Sequence, residues 1–210
     1  MAQSNYDITL ARMPKAFLTY DQQRMIRMFC REYDADWLYL RFLDRRYRVS
    51  RENGTIQWTQ GGELWCPAGF LDAMTIYDLL CCAKDGASLS GRYCRAENLP
   101  GAMHGANPDK DAFSTFARSC DKMPEKLDAA CRALKGASLH TGEISYQIPM
   151  FDFLPVIVQF WSSDDEFPAV FKLMWDENAL EFLRFETVCY AARFLTSRLQ
   201  AHMGLPEVTI

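Results

Sequence analysis

Three adjacent carboxylates, Asp164, Asp165 and Glu166, stand between two apolar runs in LPVIVQFWSSDDEFPAVFKLMW, residues 154–175. Carboxylate oxygens are the ligands that Mg²⁺ and Ca²⁺ require, and a carboxyl crowded by like charges keeps its proton longer and can serve as an acid. A solvated turn is the alternative, because successive residues point in different directions and a cation needs ligands from elsewhere. Asp176, at the end of the next run, is placed to be one. Trp161, Phe167 and Trp175 bracket the carboxylates. A small-molecule pocket with aromatic walls is therefore expected near Trp161, Asp164, Asp165, Glu166, Trp175 and Asp176, unless those rings fill a sheet–helix interface. The fixed spacing of a Ca²⁺ loop is absent.

Softer ligands form a second set. His104 and His140 lie in loop-like sequence, His140 within HTGE, where Glu143 follows three residues later, and Cys66 sits in a Gly-flanked WCP. Cys66, His104, His140 and Glu143 are the metal or thiolate candidates; exposed imidazoles and an ordinary loop thiol are the alternatives. A zinc site gathers three or four ligands at recognisable spacing, and no CxxC, HExxH or HxH is present. Cys before Pro serves as a thiolate ligand in some heme-responsive proteins, yet no basic residue beside Cys66 in sequence lowers its pKa. Cys81 and Cys82 point about 100° apart on a predicted helix, one toward the core and one half-exposed. The scattered cysteines lack iron–sulfur spacing, and GxSxG, GxGxxG and GxxxxGK[ST] are missing. No catalytic residue and no cofactor is identified on these grounds.

The elements that must position these groups follow from periodicity. Asp21 is a cap before QQRMIRMFCREY, where Met25, Met28 and Phe29 recur at helical spacing. WLYLRFL reads as a strand, and YRVSR and TIQW as a hairpin about Asn53-Gly54, a type I′ signal. FLDAMTIYDLLCCAK places Phe70, Met74, Tyr77, Leu80 and Cys81 on one helix face. Residues 85–110 form a long Gly- and Pro-bearing loop, functional or mobile. Two short helices follow, DAFSTFARSC and PEKLDAACRALK, the second with Pro124 near its start and Gly136 as its stop. EISYQIP alternates as a strand, and the runs around the acidic cluster read as two strands covered on both faces. One long helix is expected from Asn178 onward, with Phe182, Phe185, Val188, Cys189, Ala192, Leu195 and Leu199 along one stripe, ended by Gly204 and Pro206. The order predicts α+β: a largely antiparallel sheet with packing helices and a long C-terminal helix, in a single domain 1–210 divided into 1–60, 68–136 and 143–204.

Composition sets outer bounds. The chain has 210 residues, 49% hydrophobic and 24% charged, which is globular, and a net charge of −4. Arg41, Arg45, Arg46, Arg48 and Arg51 cluster, but no further basic segment backs them, so no nucleic-acid partner is expected. No run reaches the roughly 18 apolar residues of a membrane helix and no signal peptide opens the chain, so a cytoplasmic address without a membrane is expected. Eight cysteines in a chain of this length and address read as reduced thiols.

The stretch LPVIVQFWSSDDEFPAVFKLMWDENALEFLRFETVCYAARFLTSRL resembles the bacterial and archaeal family known as domain of unknown function 3786, most specifically in W-x-x-D-D-E-F-P and the D-E-N that follows. FLDRRYRVSRENGTIQW, AMTIYDLLCCAKDGASLSGRYCRAENLPG and CRALKGASLHTGEISYQIPMFDFLP extend the resemblance from about Trp37 to Leu199. It implies a habitat, because the family's members occur mainly in anaerobes and some carry a cysteine-rich iron–sulfur segment. MAQSNYD has no such cysteines, so no cluster is carried over, and no catalytic residue is transferred.

The expected function is an accessory domain of anaerobic metabolism binding a small ligand, cofactor or protein partner. The alternatives are an enzyme of hydrolytic or lyase type, using Asp164, Asp165 and Glu166 as acid, base or metal ligands, and a structural subunit docking on a redox enzyme.

Overall fold

The computed structural model describes residues 5–102 and 110–206. Helices α1 (Asn5–Phe17) and α2 (Gln22–Met28) come first. Asp21 caps α2, its Oδ1 accepting the Gln23 N–H at 2.9 Å. The helix stops earlier than QQRMIRMFCREY predicts. Phe29 and Cys30 turn into the core, and Glu32–Tyr33 becomes the edge strand β1. The Asp34 carboxylate accepts the N–H groups of Asp36 and Trp37 and so competes with helical bonding just beyond.

The first sheet is antiparallel in the order β1-β2-β3-β4-β5, with β2 Trp37–Phe42, β3 Arg45–Ser50, β4 Ile56–Thr59 and β5 Cys66–Pro67. Alternation sends Leu38, Leu40, Phe42, Arg45, Tyr47 and Val49 inward, and Trp37, Tyr39, Arg41, Arg46 and Arg48 outward. The hairpin around Asn53-Gly54 is present, but its loop is five residues, 51–55, rather than two. Only Gly54 there has positive φ, +75°. Tertiary contact shapes this loop: a Cβ on Gly54 would stand 2.4 Å from the Pro14 carbonyl oxygen, and the Tyr77 hydroxyl donates to the Gly54 carbonyl at 2.7 Å. The two-residue turn lies instead at Leu43-Asp44. Leu43 takes φ +53°, a strain of about 1–2 kcal/mol that its burial and its N–H bond to the Met150 carbonyl (2.8 Å) offset.

Helix α3 (Phe70–Cys82) was expected to bury one face, yet Leu71, Ala73, Ile76, Tyr77, Leu79 and Leu80 are all buried while Phe70 and Met74 are only half-buried. Its neighbours explain this. α1 and the C-terminal helix pack on it, and Tyr47 of the first sheet reaches its Asp72.

The second sheet is also antiparallel, in the order β6-β10-β9-β8-β7: β6 Tyr93–Arg95, β7 Ala137–Ser138, β8 Ile144–Phe151, β9 Leu154–Trp161 and β10 Val170–Asp176. Its three long strands are those predicted. They are covered on one face, not two: Leu154, Val156, Val158 and Phe160 are buried, whereas Pro155, Ile157, Gln159 and Trp161 are half-buried. Helices α4 (Lys110–Asp121) and α5 (Pro124–Ala133) supply that cover against β10 and β8. Lys135, at φ +61°, takes the left-handed position after α5. Gly136 is required for space, because a Cβ there would lie 2.8 Å from the Cys131 carbonyl oxygen.

The long C-terminal helix is broken in two, α6 (Ala179–Phe182) and α7 (Phe185–His202). The buried Asp78 carboxylate captures both the Arg184 N–H (2.7 Å) and its Nε at the junction, holding that residue extended as the cap of α7. Gly204, φ +77°, follows the last turn. The buried side chains make one continuous cluster across both sheets. Its axis is a chain of rings, Phe194, Phe42, Phe151, Phe153 and Phe182, with centroids 4.6–5.9 Å apart. No helix among the described residues is long and apolar enough to cross a membrane.

Candidate functional site

The acidic segment is an exposed turn between β9 and β10 that closes on itself. Asp164 Oδ1 accepts the N–H groups of Glu166 (2.9 Å) and Phe167 (2.7 Å), which hold its carboxyl below the usual carboxylate range. Asp165 and Glu166 point into solvent. Nearby Glu143 accepts the Ser162 N–H (2.9 Å), and Asp121 accepts the Ser163 N–H and hydroxyl (2.8 and 2.7 Å), so these carboxylates shape the strand end.

Trp161 and Trp175 do not share a pocket. Trp161 pairs with Val170 and Trp175 with Val156, five ladder steps or about 17 Å apart. Trp161 lies half-buried under the Lys172 ammonium, whereas Trp175 is buried in the core. Asp176 is fully buried. Burial alone would raise its pKa, but the N–H groups of Ser90, Gly91 and Asn178, at 2.8–2.9 Å, bring it below the ordinary value. Its work is to stake the segment after α3 to the end of β10.

The softer set is dispersed. Cys66 is half-buried in β5 opposite Trp58, in the first sheet; His140 is exposed and Glu143 stands beside it in sequence at the end of the second. His104 lies outside the described residues. Among the described residues no three His, Cys, Asp or Glu side chains are grouped to hold a metal ion. No two cysteines form a disulfide, and burial pushes the Cys30, Cys81 and Cys120 thiols up to about 12.

Three features were not anticipated. The first is a cleft of about 360 Å³ lined by Met28 and Phe29 at the end of α2, residues 86–89, Phe153 in the β8–β9 turn, and Phe182 of α6. Its loop wall is anchored at several points: Lys84 N–H to the Glu181 carbonyl (2.7 Å), Asn178 Nδ2 to the Ser88 carbonyl (2.9 Å), and Ser90 and Gly91 to Asp176. Four separate segments build the cleft, and each reads in sequence as core or loop.

The second is a set of charges under the first sheet. Asp44 receives Arg198 Nη2 (2.7 Å), His202 Nε2 (2.9 Å) and Gln60 Nε2 (3.2 Å). Although burial opposes it, hydrogen bonds and charge from Arg198 and His202 bring the Asp44 carboxyl to about 2. Inward-pointing Arg45, 8% exposed, lies 3.7 Å from the Trp58 ring centroid and 3.8 Å from Asp72 Oδ2, and Tyr47 donates to the same Asp72 oxygen at 2.8 Å. Burial raises the Asp72 pKa. These groups lie among packed side chains and bind sheet to α3 and α7.

The third is the outer face of that sheet. Arg48 lies over both indoles, 4.1 Å from the Trp37 centroid and 4.2 Å from Trp65, with its Nε donating to Gln57 at 2.8 Å. Arg46 lies over Tyr39 at 4.7 Å and pairs with Glu32. Alternation in RFLDRRYRVS carried the signal for both arginine sets, since it points Arg45 inward and Arg41, Arg46 and Arg48 outward.

Together the described residues define an α+β protein of two five-stranded antiparallel sheets around a shared aromatic core, with an apolar cleft on one side and an arginine–aromatic face on another. The chain belongs to the family described as domain of unknown function DUF3786, which matches residues 21–198. No curated protein and no solved structure matches it.

Proposed function

We propose that this chain is an accessory domain of anaerobic metabolism that binds a small, largely apolar molecule carrying a flat ring. The cleft between α2, residues 86–89, the β8–β9 turn and α6 carries the reading. Its 360 Å³ and its lining of Phe29, Phe153, Phe182 and Met28 match the size and chemistry of a small-molecule site, and loop backbone with Ser88 supplies polar contacts at its edge. The family resemblance supports the anaerobic setting, as does a load of eight thiols and ten methionines that a reducing compartment tolerates. Titration with 1-anilinonaphthalene-8-sulfonate, read by its fluorescence, tests it. Wild type binds the probe at one site, and Ala87→Trp, which fills the cleft, weakens binding at least about tenfold with an unchanged melting temperature. Equal binding by the variant removes the cleft from the reading.

A further inference from the structure

The outer face of the first sheet collects cations in a chain whose net charge is −4. Arg41 of β2 and Arg46 of β3 stand directly opposite each other in the ladder, and Arg48 follows two residues along β3 on the same face. Like charges in direct cross-strand register are destabilising. Glu32 answers Arg46, while Arg41 is exposed and has no carboxylate partner among the described residues. Arg48 is half-buried between two indoles and donates to Gln57 through Nε, while its two Nη groups have no hydrogen-bond partner among the described residues and are the donors an oxyanion would use. Leu64, 77% exposed, precedes Trp65 at the rim. Trp, Tyr and Arg are the residues that carry most binding energy in protein interfaces.

We infer that this face docks an acidic, extended polypeptide segment of a partner protein, with carboxylates at alternate positions meeting Arg46 and Arg48 and a further one meeting Arg41. Two residues along a strand span about 6.6 Å, which is the repeat of alternate side chains on an extended peptide. Charge complementarity and the Arg41–Arg46 register, which Glu32 relieves only on the Arg46 side, favour such an occupant. A single-stranded nucleic acid fits less well. Guanidiniums cover a face of Trp37, Trp65 and Tyr39, where bases would stack.

The test uses the full chain, a fluorescein-labelled peptide alternating Glu and Thr, and an oligothymidylate of equal charge, read by fluorescence anisotropy at low and high salt. The peptide binds at low salt, weakens with salt, and is bound at least about tenfold more weakly by Arg41→Glu and by Arg48→Gln. Arg41→Glu also separates docking from folding, because replacing the opposed like charge leaves the melting temperature equal or higher while binding falls. Failure of the wild type to bind the peptide, equal binding by Arg41→Glu, or tighter binding of the oligothymidylate than of the peptide each overturns the inference.

Discussion

Asp44→Asn measures what the charges beneath the first sheet contribute. In the folded chain the Asp44 carboxyl stands at about 2 against an ordinary 3.8. At about 1.4 kcal/mol for each pH unit of difference, ionised Asp44 stabilises the fold by about 2 kcal/mol. A carboxyl depressed on folding contributes fully above its unfolded value and loses that contribution as pH falls through its folded one. The window here therefore runs from about pH 5 down to about pH 2. The substitution also replaces the carboxylate beside Arg198, whose side chain is only 4% exposed, by a neutral amide, so the cost at pH 7 is about 3 kcal/mol. Urea unfolding of both proteins at a series of pH values tests this. The stability gap at pH 7 should shrink by about 2 kcal/mol as the pH approaches about 2, because the wild-type carboxyl protonates and the two side chains become alike. A gap under about 0.5 kcal/mol at pH 7, or one that stays constant across the window, refutes the assignment of Asp44 as the ionised partner of Arg198 and His202.

Two further outcomes follow from packing. Gly54→Ala places a methyl 2.4 Å from the Pro14 carbonyl oxygen at a φ of +75°, so it should lower stability by at least about 2 kcal/mol in thermal melts; a neutral result means that α1 does not pack against this loop. Brief alkylation of the native chain at mildly alkaline pH, mapped by mass spectrometry, should spare Cys30, Cys81 and Cys120, whose thiols burial holds at about 12, and label them only after unfolding.

The elements visible in the sequence are those whose pattern depends on one neighbour. β8 alternates because one face meets helices, β9 and β10 stand out as apolar runs although only one face of each is buried, and Pro124 marks the start of α5 from its local geometry alone. The break between α6 and α7 was hidden because its cause, Asp78, lies 106 residues earlier in the chain. The turn at Leu43-Asp44 was hidden for a related reason: Asp44 is a turn former but Leu43 is not, and what holds Leu43 there is the Met150 carbonyl across the sheet gap. Of the site residues, the acidic turn was visible as a turn, and the antiparallel hairpin on either side of it puts Trp161 beside the turn and Trp175 five ladder steps away. The cleft drew its lining from residues that each look like ordinary core.

The stakes along the loop from Lys84 to Gly91 bear on how quickly a molecule could enter that cleft. With Asp176, Asn178 and Glu181 each gripping the wall, the opening exists before anything arrives, and no lid need swing aside. Association would then rise linearly with concentration, without a saturating step, and selectivity would come from how long a molecule stays.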